Sequence, residues 1–242
     1  MRVPADPFIL AVDTSTEVMT LALSGPQGLS ALQADAGSEA SAHVLDRLSA
    51  MLAEQGLVWG DLHAIAFGRG PGAFTGLRTA CAVAQGLAFG AGLPVLAIDS
   101  LLAVAETYRG HRVAEGAVWV DAQEVGVVAD ARMGQVYASR YRFTGEHWVN
   151  THEVQVCAPL LQDLNWQGWP AVVVGSGASL LPPVPTLRRL SMGMDPAGLM
   201  GAAQQAWRKN QACAPEQALP VYVRDKVAQT SAERAARVSL AG

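Results

Sequence analysis

The side chains that could do chemistry are few, and the most suggestive lie in one polar turn and one glycine-rich loop. Residues 13–16 read DTST directly after an apolar run, and residues 68–78 read GRGPGAFTGLR. An aspartate with hydroxyls at the tip of a strand pair could orient a metal-bound phosphate, and glycines ahead of a helix let an anion approach the backbone. The loop matches neither the dinucleotide spacing nor the Walker A spacing. A tight turn that serves only packing is the competing interpretation.

Other catalytic constellations do not occur in the sequence. The five histidines are scattered, without an HExxH motif, and the three cysteines form no CxxC pair. Zinc sites need such spacing, and a serine nucleophile would need a GxSxG elbow that this sequence lacks. The sequence therefore predicts no catalytic residue and no metal site. Its unpaired cysteines indicate free thiols in the reducing cytoplasm.

Composition narrows the class of protein further. The 242 residues carry 17 Lys and Arg against 21 Asp and Glu, a formal net charge of −4, and half of them are hydrophobic. This is a globular composition without the basic stripe of a dedicated nucleic-acid binder. Residues 79–98 carry no charge over a length that could span a bilayer, but Pro94 would break a single helix there. A buried helix followed by a strand is expected instead, with no membrane contact.

Hydrophobic periodicity predicts a strand pair over residues 8–23, a third strand at 29–33, and then helices alternating with strands. The predicted helices cover residues 41–52, 74–89, 100–108 and about 196–209, and Gly56 is expected to end the first of them. The further strands cover 62–67, 93–98, 116–120 or 125–130, 134–143 and 171–174. Ser100 is expected to cap the third helix. Because a strand–turn–strand segment occurs twice, the pattern indicates a duplicated α/β architecture with a lobe boundary near residues 110–116.

Two of the predicted helices have more apolar surface than one contact requires. Residues 44, 45, 48, 51 and 52 form one broad apolar stripe, and helix 74–89 is apolar on both faces. Small residues at Ala80, Ala84 and Ala88 would let another helix approach closely. Two interpretations remain open at this point. The helices either form only the core of their own lobe, or form that core and also present a face to a partner.

Several segments together resemble the TsaB (YeaZ) family, the non-catalytic subunit of the bacterial tRNA threonylcarbamoyladenosine synthesis complex. They are ILAVDTSTEVMTLAL, SAHVLDRLSAML, AIAFGRGPGAFTGLRTACAVAQGLAFG, VVADARMGQVYASRY and LPVYVRDKVA, and they run from residue 8 to residue 228. The glycine-rich block is the most specific of them. The resemblance implies a two-lobed actin/Hsp70/sugar-kinase-like (ASKHA) α/β fold with a duplicated mixed-sheet core. Residues 1–110 would form the first lobe, joined by residues 215–242, and residues 111–214 the second.

The resemblance also bears on nucleotide and metal binding. ATP-using members of this superfamily carry a pattern like Asp-x-Gly-x-Thr in the first hairpin; here Asp13 and Thr16 resemble it, with Ser15 at the glycine position. Gly175 and Gly177 look like a degenerate form of the adenosine loop. A side chain at Ser15 hinders the approach of a phosphate, so any nucleotide site is expected to be degenerate and no cofactor is expected.

The catalytic paralogue TsaD carries two metal-binding histidines four residues apart after the strand that corresponds to residues 93–98. Ser100 and Val104 stand at those positions here, and a valine cannot ligate a metal. By resemblance, the chain is therefore expected not to perform the transfer itself.

By the same resemblance, the chain is expected to pair with TsaD, to be joined by the ATPase TsaE, to meet tRNA only through that complex, and to form a homodimer when alone. The expected partner interface consists of His43, Val44, Leu48, Met51, Phe74, Leu77, Arg78, Ala80 and Ala84. An ATP-binding phosphotransferase or ATPase of the same superfamily is the alternative, and it would require Asp13 and Thr16 to hold Mg-ATP. A peptidase is disfavoured because metal ligands and a nucleophile are missing.

Overall fold

The structure is a computed structural model that describes residues 4, 6–35, 43–119, 122–166 and 168–224. These residues form two five-stranded sheets and four α-helices. The first sheet contains β1 (Ile9–Asp13), β2 (Val18–Gly25), β3 (Gly28–Asp35), β4 (Ala64–Gly70) and β5 (Val95–Asp99). The second contains β6 (Glu124–Arg132), β7 (Gln135–Phe143), β8 (Trp148–Cys157), β9 (Val172–Val174) and β10 (Arg188–Leu190). The helices are α1 (Val44–Gln55), α2 (Phe74–Ala91), α3 (Ser100–Ala114) and α4 (Pro196–Arg208).

The two sheets have the same topology. The strand order is β3-β2-β1-β4-β5 in the first sheet and β8-β7-β6-β9-β10 in the second. In each sheet the first three strands along the chain form antiparallel pairs. The fourth strand pairs parallel with the first, and the fifth pairs parallel with the fourth. This repeat confirms the duplicated mixed-sheet α/β core predicted from the sequence.

The helices lie in layers around the first sheet. On one face, α1 and α2 pack against the sheet and enclose an apolar cluster that includes Leu10, Leu48 and Phe67. On the other face, α3 and α4 pack against each other and against the first sheet, and α3 also contacts β6, β7 and β9. One apolar cluster therefore continues from Ile9 of the first sheet to Val127 of the second. The second sheet's outer face is covered by the loops around Leu164 and Leu181.

Helix α3 differs from its prediction at both ends. Its N-cap is Asp99, not Ser100, because the Asp99 carboxylate accepts hydrogen bonds from the amides of Leu101 and Leu102 at 2.9 and 3.3 Å. The helix also continues through Gly110 to Ala114, beyond its predicted end at residue 108. Packing against α4 outweighs the helix-weakening effect of one glycine, which is about 1 kcal/mol.

Other sequence predictions differ in smaller ways. Of the two alternatives for the sixth strand, residues 125–130 are correct, whereas β8 and β10 were not predicted. The predicted start of the first helix, residues 41–42, lies outside the described residues, as does the tail from residue 225 onward. The described helix ends as predicted at Gly56, which adopts φ 70°. None of the described helices is long and apolar enough to cross a bilayer.

A partly buried hydrogen bond joins the two sheets. The Tyr141 hydroxyl of β7 donates to Asp99 Oδ2 at 2.6 Å, and Asp99 is the last residue of β5. Burial raises the pKa of Asp99 and, together with the Asp99 carboxylate, raises the pKa of Tyr141 well above its usual value. The phenol therefore stays protonated and remains the donor.

Replacing Tyr141 by Phe is expected to lower the free energy of unfolding by about 1–3 kcal/mol, because Asp99 Oδ2 loses its donor while buried. Urea denaturation followed by circular dichroism measures the change. Tyr137→Phe on the same strand is the control, since its hydroxyl has no hydrogen-bond partner among the described residues. Equal stability of the two variants would contradict a structural role for the bond.

Candidate functional site

A cavity of about 790 Å³ lies in the cleft between the two sheets. Two hairpin turns face each other across it, the β1–β2 turn at residues 14–17 and the β6–β7 turn at residues 131–134. Ser15 and Thr16 line the cavity, as does Ser176 from the loop after β9. The predicted nucleotide-binding segments from both halves of the sequence are thus brought to one cleft.

Asp13 is buried and turned inward rather than toward the cleft. Its Oδ1 accepts hydrogen bonds from the Ser15 amide at 2.7 Å and the Ser15 hydroxyl at 2.6 Å, and its Oδ2 accepts one from Ser100 Oγ at 2.9 Å. Burial raises its pKa, although these three donors act in the opposite direction. Both carboxylate oxygens are therefore used to hold the turn against β4 and α3. A Cβ at Gly68 would lie 1.6 Å from Asp13 Oδ2, which explains the first glycine of the loop.

The next glycines of the loop allow the hairpin to pack on helix α2. A Cβ at Gly72 would lie 2.5 Å from that of Ser15, and a Cβ at Gly76 would lie 1.7 Å from the backbone oxygen of Thr14. The close approach is used, because the Ala73 amide donates to Ser15 O at 2.7 Å and Thr14 Oγ1 donates to Gly76 O at 2.7 Å. The geometry supports the interpretation of residues 68–78 as a packing turn.

The loop after β9 is equally close to the second sheet. Gly175 has φ 126°, and a Cβ there would lie 2.1 Å from the backbone oxygen of Val128. Gly177 donates its amide to the same oxygen at 2.9 Å, and Ser176 Oγ accepts the Asp130 amide at 3.1 Å. Neither Gly175 nor Gly177 lines the cavity. These glycines let the loop lie against β6.

Phosphate binding needs backbone amides that are free to donate. At the cleft, the amides of Ser15, Ala73, Asp130 and Arg132 donate to oxygen atoms of the protein, as does the Gly177 amide in the loop behind it. Thr16 uses its hydroxyl within the turn, where it donates to Val18 O at 2.9 Å. The arrangement described at these five amides therefore does not fit a triphosphate.

By strict spacing, Glu17 occupies the fifth position of the Asp-x-Gly-x-Thr pattern, not Thr16. Its carboxylate forms an ion pair with Arg132 across the cleft, and Arg132 also lies 3.6 Å from the Asp130 carboxylate. This ion pair could not be predicted from local sequence patterns, because Glu17 and Arg132 lie in different halves of the chain. The contact connects the two turns directly.

Ser100 and Val104, which by resemblance stand at the metal-ligand positions of TsaD, are both buried in the fold. Ser100 is buried, and its hydroxyl bonds to Asp13 and accepts the Gly70 amide at 3.2 Å. Val104 is buried in the core between the sheets. Among the residues that the structure describes, no group of three or more His, Cys, Asp or Glu side chains could hold a metal ion.

Most of the residues predicted for the partner interface are covered within the chain. Six of them are at most 4% exposed: Val44, Leu48, Met51, Leu77, Ala80 and Ala84. The small residues of α2 therefore face the sheet and let the helix lie close to it. Direct partner contact stays a prediction for the three exposed residues His43, Phe74 and Arg78. His43 precedes α1 and lies 3.5 Å from the Asp46 carboxylate.

The outward faces of α1 and α2 carry a different set of residues. On α2, Ala82 and Gly86 are exposed between Arg78 and Phe89, and Phe89 is 81% exposed. On α1, Leu45 is half exposed and is followed on the same face by small residues. The exposed residues of the predicted interface, His43, Phe74 and Arg78, all lie just before a helix or in its first turns. A helix that is apolar all round does not reveal which face meets the sheet.

The segment after α4 covers one end of this surface. Gln85 of α2 donates to the backbone oxygens of Pro215 and Ala218 at 3.0 and 2.9 Å. Farther along, the Tyr222 ring lies 5.2 Å from that of Phe74, and Arg78 Nε donates to the Tyr222 hydroxyl at 3.2 Å. Aromatic rings and a guanidinium thus form an exposed cluster at the N-terminal end of α2.

The sequence of this chain is similar to those of proteins named for tRNA threonylcarbamoyladenosine biosynthesis. The family model of TsaD, described as tRNA N6-adenosine threonylcarbamoyltransferase, matches residues 34–172. A tRNA threonylcarbamoyladenosine biosynthesis protein TsaB from Escherichia coli (strain K12) is 31% identical, with 91% of this chain and 96% of that protein covered. A TsaB protein from Haemophilus influenzae is 37% identical over 70% of this chain and 72% of its own length.

Solved structures confirm the fold. YeaZ from Pseudomonas aeruginosa superposes with a TM-score of 0.75 at 31% identity, covering 89% of this chain and 99% of that one. A second Pseudomonas aeruginosa structure, described as similar to the peptidase YeaZ, gives a TM-score of 0.77 at 31% identity, covering 90% and 100%. The observed sheets are consistent with the actin/sugar-kinase-like fold expected from the sequence. The chain belongs to the TsaB family, whose members are named for tRNA threonylcarbamoyladenosine biosynthesis.

Proposed function

We propose that this chain is a non-catalytic subunit that pairs with TsaD and supports transfer of a threonylcarbamoyl group to the adenosine next to the tRNA anticodon. The observation that carries the proposal is the contrast between its two surfaces. Amides of Ser15, Ala73 and Arg132 at the cleft donate within the protein, whereas α1 and α2 expose an apolar, small-residue face. The chain is thus suited to binding a partner rather than to catalysis.

Kinship with TsaD supports the choice of partner. More than half of the chain matches the TsaD family model, so a TsaD protein would carry helices equivalent to α1 and α2. Two related chains can pair these helices through matching faces, as the subunits of a twofold dimer do. Ala82 and Gly86 would let the facing backbones approach closely, and Leu45 and Phe89 would lose their exposure to water.

The remaining partners follow from the same assembly. In this proposal TsaE joins the pair, tRNA meets the chain only through the complex, and the assembly works in the cytoplasm. Without TsaD, two copies of this chain cover the same helical face in a homodimer. No nucleotide cofactor is part of the proposal. The net charge of −4 agrees with a subunit that leaves most tRNA contacts to its partners.

Reconstitution tests the proposal. TsaD, TsaE, the adenylate-forming enzyme and unmodified tRNA are incubated with and without this chain, and the modified nucleoside is quantified by mass spectrometry. We expect modification to depend on the chain. Full modification in its absence would refute the subunit role. Calorimetry of the isolated chain with Mg-ATP separates the alternative, since micromolar binding with turnover would favour a phosphotransferase or ATPase.

A further inference from the structure

Residues 213–224, here called the C-terminal strap, run from the first sheet to the second. The strap begins at the edge of β5, where Cys213 and Val95 exchange two backbone hydrogen bonds of 2.9 Å. It then crosses α2, where Ala218 O accepts hydrogen bonds from Gln85 and from the Cys81 thiol. The strap is thus fixed to the first sheet and its outer helix before it reaches the cleft.

The end of the strap contacts both sides of the cleft. The Val221 amide donates to Arg69 O at 2.7 Å on the first side, next to the cluster formed by Tyr222, Phe74 and Arg78. Two residues later, Arg224 Nη2 donates to Ala131 O at 2.9 Å and to Gln135 Oε1 at 2.8 Å on the second side. Residues 221–224 all line the 790 Å³ cavity.

The β6–β7 turn that Arg224 holds has an unusual backbone. Arg132, Met133 and Gly134 are consecutive residues with φ of 62°, 58° and 72°, in the left-handed region that disfavours side chains. A two-residue hairpin loop favours positive φ at Met133 and Gly134, but the backbone remains costly for the residues with side chains, Arg132 and Met133, so contacts beside the turn stabilise it. Arg224 bonds to Ala131 and Gln135, which stand immediately before and after these three residues. The strap therefore supports the turn from both of its ends.

The ion pair that joins the two hairpin turns is weaker than the contacts of the strap. Arg132 and Glu17 form an ion pair, but their side chains are 63% and 83% exposed. Exposed pairs contribute little, about 0–1 kcal/mol, and salt screens them. Arg224 is half-buried and donates to a backbone carbonyl and to a side-chain amide oxygen. At this end of the cleft, the strap thus adds hydrogen bonds that are less exposed to solvent than the ion pair.

We propose that the C-terminal strap couples the N-terminal end of α2 to the β6–β7 turn, so that contact at the Phe74, Arg78 and Tyr222 cluster controls how firmly the cleft is closed. The partner that applies this contact rests on the proposed function, but the link itself belongs to the chain alone. Coupling of this kind is reciprocal, so a partner that closes the cleft binds more tightly when the cleft is closed.

Hydrogen–deuterium exchange on the isolated chain tests the link. Arg224→Gln is expected to speed exchange of the amides at residues 131–136 about tenfold, whereas Arg142→Gln, an exposed arginine of β7, leaves it unchanged. Arg78→Ala is the informative variant, because Arg78 bonds to Tyr222 and stacks on Phe74 but has no hydrogen bond or ion pair with the turn. We expect it to speed exchange at residues 131–136 about threefold, a coupling effect of about 0.7 kcal/mol.

Two outcomes of that experiment would refute the proposed coupling through the strap. One is unchanged exchange at the turn in Arg224→Gln, and the other is an Arg78→Ala effect confined to α2. A second arm adds TsaD, which is expected to slow exchange at the turn in the wild type and not in Arg224→Gln. TsaD that binds without protecting the turn also refutes the coupling. Failure of wild-type TsaD binding instead refutes the proposed function, while the isolated chain still decides the link.

Discussion

Gly76→Ala is expected to lower the free energy of unfolding by about 3 kcal/mol or more, because the added Cβ would lie 1.7 Å from the backbone oxygen of Thr14. A backbone oxygen cannot turn away as a flexible side chain can. Either α2 must move off the β1–β2 turn or the turn must distort, and both changes break the Thr14 Oγ1 bond to Gly76 O. Urea denaturation of the variant and the wild type measures the loss.

Gly86→Ala is the matched control, because it makes the same chemical change in the same helix. Gly86 is exposed and has no atom within 4 Å of its added Cβ, so only helix propensity changes. The variant is expected to gain about 0.5–1 kcal/mol. Opposite signs at the two positions would separate close packing from a general intolerance of α2 to alanine. A Gly76→Ala variant as stable as the wild type would contradict the packing role of the loop.

Local pattern predicted the elements that are regular and well bounded. The β1–β2 hairpin follows from apolar runs on both sides of a polar turn, the end of α1 follows from Gly56, and the long helix α2 follows from helical spacing. The identical strand order of the two sheets was foreseen only as a repeat of element order. Strand β8 mixes buried and partly buried positions without alternation, and β10 has three residues, so neither has a pattern to recognise.

Helix α3 shows why local pattern fails where tertiary packing decides. Gly110 suggests a helix end, but α4 packs along α3 so closely that a Cβ at Gly198 would lie 2.0 Å from Thr107 Oγ1. The Asp195 side chain accepts hydrogen bonds from Gly198 and from Thr107, which joins the start of α4 to the middle of α3. These contacts connect residues that are about ninety positions apart in sequence, and no local window contains them.

The candidate site was predictable in its segments and not in their use. The resemblance located the two loops that meet at the cleft, whereas the expectation that Ser15 hinders a phosphate stays a prediction. Two facts required coordinates. The amides of Ser15 and Ala73 donate within the protein, and Arg224 reaches the second sheet. Sequence patterns specify residue types, whereas hydrogen-bond partners that are distant in sequence depend on how the two sheets are arranged.

Ala82→Arg is expected to weaken binding to TsaD at least about thirtyfold, a loss of about 2 kcal/mol, while leaving the chain folded. Ala82 lies exposed on the outer face of α2, so an arginine there meets only solvent in the monomer. In a close helix pair, the same side chain must displace the partner helix or bury its charge without a counter-ion. Titration calorimetry measures the affinity, and thermal unfolding checks the fold.

The choice of an exposed position is essential, because Leu48→Glu and Ala84→Arg would place charges at fully buried sites and unfold the chain itself. Loss of TsaD binding in those variants would say nothing about a docking surface. Ala114→Arg supplies the matched control, since Ala114 is an exposed alanine at the end of α3, away from α1 and α2. Wild-type affinity in Ala82→Arg would exclude the outer face of α2 as the docking surface. Weakened binding in both variants would indicate a general effect of added positive charge, and selective loss in Ala82→Arg places TsaD on α2.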